Sequence, residues 1–364
     1  MLVYQIVFFL VTFFSIVLAC IGKNFYILRK LIHFFIILIL SSLFVVRDYS
    51  IGIDTYSYVK MIDDISIMRG YNELIHYSTS LAIEIGFLTF IYFLRFLENP
   101  NFILFFCAIL IYYNYSKVVD LLNINPLIFY TSLFTFFGIF FFSFNILRQC
   151  IALSFVVLAV SKLNKDDVFG FFVNTILATL FHYSALICFL FYFVFLYSDW
   201  LYRFRIFLVI FILSIAKVVF YLLASYYPRY SDYMTMKTAE SNLGVFLFSF
   251  YFIIYFISEF LLIKKNDKFL KLSSLVLLLY LVLQISFIIN NIYNHGATRI
   301  VLYFLWPTFV IVCIFFKEIK DINLRSFLII CFYLFLFFYF YVVIMSLDYS
   351  FVPFRFSSGY LWYL

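Results

Sequence analysis

About thirteen apolar runs, near 3–21, 31–46, 81–97, 102–119, 124–143, 149–163, 168–181, 184–197, 206–225, 243–263, 269–289, 300–316 and 326–347, occupy most of this chain. Short polar breaks part them. A hydrocarbon core about 30 Å thick takes roughly 20 apolar residues per helix, and only helices and closed barrels satisfy their backbone inside it. Runs of this length predict helices, hence an all-α, polytopic integral membrane protein. Charged residues make up only 12% of the chain and mean hydropathy is +1.10, which leaves no stretch for a separate soluble domain. Residues 1–364 are therefore read as one integral membrane domain.

Lysine and arginine orient the chain, because positive residues collect in cytoplasmic breaks. The clusters Lys23/Arg29/Lys30, Lys162/Lys165, Arg203/Arg205, Lys264/Lys265/Lys268/Lys271 and Lys317/Lys320/Arg325 mark that side. The larger polar segments, 47–80 and 226–242, then fall on the opposite face with the His182 turn, Asn290 to Arg299 and the tail from Asp348. The formal charge of +7 is accounted for by this topology, and no nucleic-acid partner is indicated. Three apolar runs lie between Arg47 and Arg148, whereas two outward-facing residues need an even number of crossings. Either one run is fused with its neighbour or re-entrant, or Arg148 faces the cytoplasm; the favoured expectation is a broken or re-entrant segment within 102–143, giving about twelve full crossings.

Met1 to Ile21 is expected to remain as the first helix. Val17-Leu18-Ala19-Cys20 loosely resembles a lipoprotein cleavage site, but no basic stretch precedes it. The six cysteines lie scattered in apolar runs with no C-x-x-C spacing, so they read as small core residues. No His/Cys ligand cluster, P-loop or G-x-S-x-G occurs, and neither a metal nor another cofactor is expected.

Against this background the polar residues that membrane physics does not explain are few. Arg47 to Tyr58, RDYSIGIDTYSY, is where the chain first turns polar and stays so. Gly52 there can take positive φ and turn the chain back over the end of the second helix, so that Asp54 follows a bend. The bland alternative is an interfacial loop with Tyr49, Tyr56 and Tyr58 as headgroup anchors. Asn145, Arg148 and Gln149 are three and four residues apart, which puts them on one helical face. An arginine at mid-depth costs about 2.5–3.5 kcal/mol, so Arg148 needs a partner or must snorkel.

His182 stands where two short apolar runs meet, a place as suited to a hydrogen-bonded core histidine as to a catalytic one. Asn290 to Arg299 gathers amides, Tyr293, His295 and Arg299, chemistry that suits sugar hydroxyls and phosphate. Glu84 and Lys217 also interrupt apolar runs without naming a chemistry by themselves.

These residues carry a resemblance. In order, Arg47, Ile51-Gly52-Ile53-Asp54-Thr55-Tyr56-Ser57-Tyr58, Glu84-Ile85-Gly86-Phe87, Asn145-Ile146-Leu147-Arg148-Gln149, Ala178-Thr179-Leu180-Phe181-His182-Tyr183-Ser184-Ala185, Ala297-Thr298-Arg299 and Val352-Pro353-Phe354 resemble the EpsG-type, Wzy-like polysaccharide polymerases over nearly the whole chain. Ile85 and Phe354 depart from the pattern, where a proline and a tyrosine are commoner.

The resemblance implies a GT-C-like membrane glycosyltransferase with a cavity facing the periplasm from the bacterial inner membrane. Its donor and acceptor would be undecaprenyl-diphosphate-linked oligosaccharides, with membrane lipids and a chain-length regulator protein as further partners. Arg47, Arg148 and Arg299 would hold the leaving diphosphate, and His182, or else Asp54, would take the acceptor's proton. Glu84, Asn145, Gln149, Tyr293 and His295 would meet the glycan. An O-antigen ligase would share this donor. A lipid-linked oligosaccharide flippase would show internal repeats, which the sequence lacks, and a membrane acyltransferase fits less well still.

Overall fold

The computed structural model describes residues 2–22, 24–135, 139–226, 242–289, 299–346 and 354–357. Tyr293, His295 and most of the loop between Tyr226 and Asn242 lie outside them, as do the Lys217 side chain and residues 347–353. Among the described residues the chain is helical, apart from an isolated antiparallel bridge between Arg47 and Phe356.

Six stretches are long and apolar enough to cross a membrane: Leu2–Cys20, Tyr26–Val46, Pro100–Leu122, Lys268–Phe287, Arg299–Glu318 and Ile322–Val342. Pro126–Phe134 and Ile139–Asn145, bent by 41° from one another, make a seventh if they count as one span. That bend falls inside 102–143, where a broken or re-entrant segment is expected. The remaining apolar helices are shorter: Val168–Phe181 has 14 residues, which at 1.5 Å per residue reaches only about 21 Å. Full-length spans among the described residues are thus fewer than the dozen expected.

The chain divides into two compact units, Met1–Leu186 with Ile319–Leu364, and Ile187–Glu318. In the first, α1 (Leu2–Cys20) and α2 (Tyr26–Val46) form a pair, and α2 packs on α6 (Pro100–Leu122). Between them in sequence come three short helices: α3 (Thr55–Ser66), α4 (Tyr71–Leu81) and α5 (Ile85–Leu94). The polar segment from Arg47 is therefore largely helical, and α3 buries Tyr58, Val59, Ile62 and Ile65 on one side.

Helix α6 and the bent pair α7 (Pro126–Phe134) and α8 (Ile139–Asn145) begin or turn at readable signals. Asn99 and Asn125 cap α6 and α7, each side chain accepting a backbone N–H at 2.9 Å, and Pro100 and Pro126 open the helices where a missing N–H costs nothing. Next come α9 (Leu147–Leu163) and α10 (Val168–Phe181). Helix α9 is the centre of this unit. All its residues are buried except Arg148 and Lys162, one cation near each end, and a helix apolar all round is one enclosed on every side.

The second unit carries its own polar staples. The Glu259 carboxylate accepts from Tyr202 at 2.5 Å and Ser274 at 2.8 Å and pairs with Arg205 at 3.4 Å, while Lys271 bonds Asp199. Glu259, Arg205 and Lys271 thus each have a partner, as burial requires. Phe191, Phe304, Phe269 and the fully buried Trp306 form its aromatic core.

Candidate functional site

The site in the first unit is assembled around Glu84. Helix α4 ends at Ala82 in the left-handed conformation (φ 50°), and Ser78 bonds Ile83 twice, through its carbonyl at 3.1 Å and its hydroxyl at 2.6 Å. This turn brings Glu84 to the N-terminus of α5, where exposed amides favour a carboxylate. Two residues on, Gly86 lies against α10 so closely that an added Cβ would stand 2.5 Å from the Leu180 carbonyl oxygen and 2.6 Å from the Leu180 Cβ. Only a glycine permits that approach. Phe181 completes the seam, edge-on to Phe90 and stacked on Phe155 of α9.

The close approach of α5 to α10 is what joins residues 98 positions apart. At the end of α10 the backbone becomes extended at His182 (φ −158°, ψ 115°), and the ring Nδ1 meets Glu84 Oε1 at 2.6 Å. The Tyr183 amide donates to the same oxygen at 3.3 Å. Arg148 Nη1, from the first turn of α9, donates to Glu84 Oε2. The carboxylate side chain is only 5% exposed, whereas those of Arg148 and His182 are 26% and 25% exposed. Burial penalises a charged carboxylate, and Arg148 and His182, one on each oxygen, offset that penalty.

The chemical content of this arrangement is specific. With Glu84 ionised, Nδ1–H donates to it, so the neutral imidazole presents Nε2 as a proton acceptor; this tautomer follows from the hydrogen-bond network. Arg148 spends one of its donors on Glu84 and keeps others for an anion. A proton acceptor and a cation thus sit side by side on one buried carboxylate, each partly open.

A second layer supports Arg148. The chain from Arg47 turns at Gly52, whose φ of +88° is the positive value its freedom allows. A Cβ there would also stand 2.7 Å from the Phe144 carbonyl oxygen. Thr55 donates to that carbonyl at 3.3 Å and to the Ile51 carbonyl at 2.6 Å, and the Ile53 amide donates to Asn145 Oδ1 at 2.8 Å. The turn is thereby fastened to the junction of α8 and α9. Asp54, half-buried, opens α3, and its charge acts on Tyr58 one turn later. Tyr58 in turn lies within reach of the Arg148 charge and packs edge-on against Phe87.

Asn145, Arg148 and Gln149 do not share one continuous helical face. The helix breaks at Ile146 (φ −100°, ψ 51°), so Asn145 ends α8 and binds the turn, Arg148 faces Glu84, and Gln149 is buried. The break leaves the Phe144 carbonyl available to the Thr55 hydroxyl, which a regular helix would discourage.

Arg47 is wholly enclosed, with 0% exposure. Its guanidinium packs over both rings of the stacked Phe44–Phe144 pair, 4.5 and 4.7 Å from their centres, and Nη1 donates to the Ile51 carbonyl at 3.3 Å. Its own carbonyl accepts from Asn101 at 3.2 Å. On either side of it, Val46 and Asp48 exchange backbone bonds of 2.9 Å with Ser357 and Arg355. Arg299 is half-buried in the second unit.

Sequence reasoning thus identified Glu84, Arg148 and His182 without pairing them, and it passed over three residues. Tyr58, Gly86 and Phe87 were noticed only as parts of motifs, with no role of their own in the site. The Glu84-Ile85-Gly86 spacing was the available signal, because a glycine in an apolar helix marks close backbone approach.

No curated protein and no solved structure matches this chain. One family model does, described as the EpsG family and covering residues 30–356. The membrane-length helices and the ordered polar residues between them have their explanation there: the chain belongs to the EpsG family, the family of Wzy-type exopolysaccharide polymerases.

Proposed function

We propose that this protein polymerises oligosaccharide repeat units carried on a polyprenyl diphosphate, at the outer face of a bacterial cytoplasmic membrane. The observation that carries the reading is the buried Glu84 carboxylate holding Arg148 on one oxygen and His182 on the other. Transfer of a glycan from a lipid diphosphate needs a cation for the departing diphosphate and a base for the acceptor hydroxyl. Arg148 and His182 are assigned those roles, with Glu84 setting the histidine's tautomer. In the sequence reading Arg299 is a second diphosphate ligand, Asp54 a rival base, and the helices a GT-C-like bundle of about twelve crossings.

The test is glycan length in a strain lacking its own copy of the gene. The wild-type protein is expected to restore a ladder of repeats, and His182→Ala, at equal expression, to leave single-repeat glycan. A full ladder from His182→Ala would remove the base assignment. Bare acceptor without any repeat, in the strain lacking the protein, would point to a ligase or flippase instead.

Arg47 is better placed to support than to bind. Truncation at a fully buried position costs about 2–5 kcal/mol through the cavity left behind, so Arg47→Ala is expected to lower the unfolding midpoint in detergent strongly. Methionine fills much of the same space without a charge to bury, and replacing a buried ion by a well-packed apolar side chain is often neutral. Arg47→Met is therefore expected to keep both the fold and the ladder. Loss of the ladder in a stably folded Arg47→Met would restore Arg47 as a diphosphate ligand.

A further inference from the structure

Glu84 is shared, and sharing has a consequence. Its two oxygens serve different partners, the guanidinium of Arg148 and, together with the Tyr183 amide, the ring of His182. A carboxylate divided between two hydrogen-bonded groups gives each less than its full charge, and inside a protein such competition is screened less than in water. Any anion that engages Arg148 draws the guanidinium toward itself and leaves more of the Glu84 charge to the imidazole. The anion's own charge acts on the imidazole in the same sense.

We propose that Glu84 couples the two halves of the reaction, so that binding of a diphosphate donor at Arg148 makes His182 a stronger base. The inference rests on the roles given above to Arg148 and His182. In the free enzyme the histidine is held in the right tautomer but is a weaker base, and arrival of the donor arms it. On reaction the acceptor hydroxyl loses its proton to His182 Nε2, and the oxygen's electron pair forms the new bond to the anomeric carbon. The bond from that carbon to the diphosphate oxygen breaks, its pair leaving with the diphosphate. The acceptor is then activated only when a donor is in place.

The groups that face this unit come from every element around it. Glu84 lies at the start of α5, Arg148 on α9, and Tyr58, with Asp54 beyond it, on α3. The side chain of Tyr183, next to His182, is exposed. Glu84 touches both partners at hydrogen-bonding distance, which makes it a positioning residue rather than a catalytic one.

The experiment uses the full chain in lipid nanodiscs with 15N-labelled histidine. The His182 signals are assigned by their loss in His182→Ala, and geranylgeranyl diphosphate is the probe, its binding followed by calorimetry. At a fixed pH near neutrality, saturation with the probe is expected to move the His182 ring nitrogens toward their imidazolium positions. In Glu84→Gln, which keeps the shape and removes the charge, the movement should shrink severalfold. Should Glu84→Gln fail to fold, the wild-type rate profile decides. The acid limb of kcat, which reports the donor-bound enzyme, should lie at higher pH than that of kcat/KM, which reports the free enzyme.

Bound probe with unmoved His182 signals, or coincident acid limbs, would overturn the coupling while leaving the base assignment intact. Full polymerisation by His182→Ala would remove the base assignment itself. Absence of any probe binding would remove the Arg148 assignment, and the coupling with it.

Discussion

Glu84→Ala is expected to abolish the repeat ladder, lowering the polymerisation rate by about a hundred- to ten-thousandfold, the range spanned by general acid–base catalysis. The loss comes from two directions at once. Without the carboxylate, the Nδ1 hydrogen bond of 2.6 Å that selects the tautomer disappears, so Nε2 is no longer held as the acceptor. Arg148 meanwhile loses its ionic partner and is free to reorient away from the donor. Breaking a buried pair by removing one member costs about 3–5 kcal/mol. Arg148 retains 26% exposure, so water offsets part of that and the low end of the range is expected. Thermal unfolding in detergent measures this cost, and the ladder measures the rate. Glu84→Gln separates the two, because the amide preserves packing while removing the charge. A Glu84→Gln protein that is stable and still polymerises at the wild-type rate would show that the carboxylate's charge is not used.

Gly86→Ala should have the next largest effect, although Gly86 itself bears no chemistry. The added methyl would stand 2.5 Å from the Leu180 carbonyl oxygen and 2.8 Å from its carbon, and both are backbone atoms that cannot swing aside. Helix α5 must therefore back away from α10 by a substantial fraction of an ångström. Overpacking of this kind costs about 1–3 kcal/mol. Its effect on activity is larger than that figure suggests, since a displacement of about 1 Å at a reacting group can cost about a hundredfold in rate. The displaced group is Glu84, two residues away. Gly70→Ala is the built-in control. An added Cβ there meets nothing within 4 Å, so near-normal stability and a full ladder are expected. A Gly86→Ala protein indistinguishable from Gly70→Ala would mean that the α5–α10 contact does not position the site.

Both expectations turn on a contact that runs between distant parts of the chain, and this is where sequence reading stopped. Glu84 was visible as a carboxylate in an apolar run, and His182 as a polar residue where two runs meet. In water-soluble helices a stripe of apolar residues tells which face turns inward. In a bilayer the lipid-facing surface is as apolar as the packed core, so that signal fades. Helix α9 illustrates the difficulty, being apolar from Cys150 to Leu163 apart from Ser154, Ser161 and Lys162, and buried throughout that stretch except at Lys162. Nothing in such a run says which residue faces α6 and which faces α10.

What the sequence determined by itself was set by short-range physics. Apolar runs near the thickness of a membrane demanded helices, and a glycine between two isoleucines offered the positive φ that Gly52 adopts. The order of weak motifs along the chain was enough to indicate the family.

Only the tertiary structure decided which polar residues meet. It enclosed Arg47 over Phe44 and Phe144, turned Tyr58 from the surface toward Arg148, and set Glu84 between Arg148 and His182. The physical reason is that a charge deep among apolar side chains must find partners, a counter-charge for Arg148 and aromatic faces with a carbonyl for Arg47. Which counter-charge it finds depends on how closely two backbones can approach, and here a glycine at position 86 set that distance.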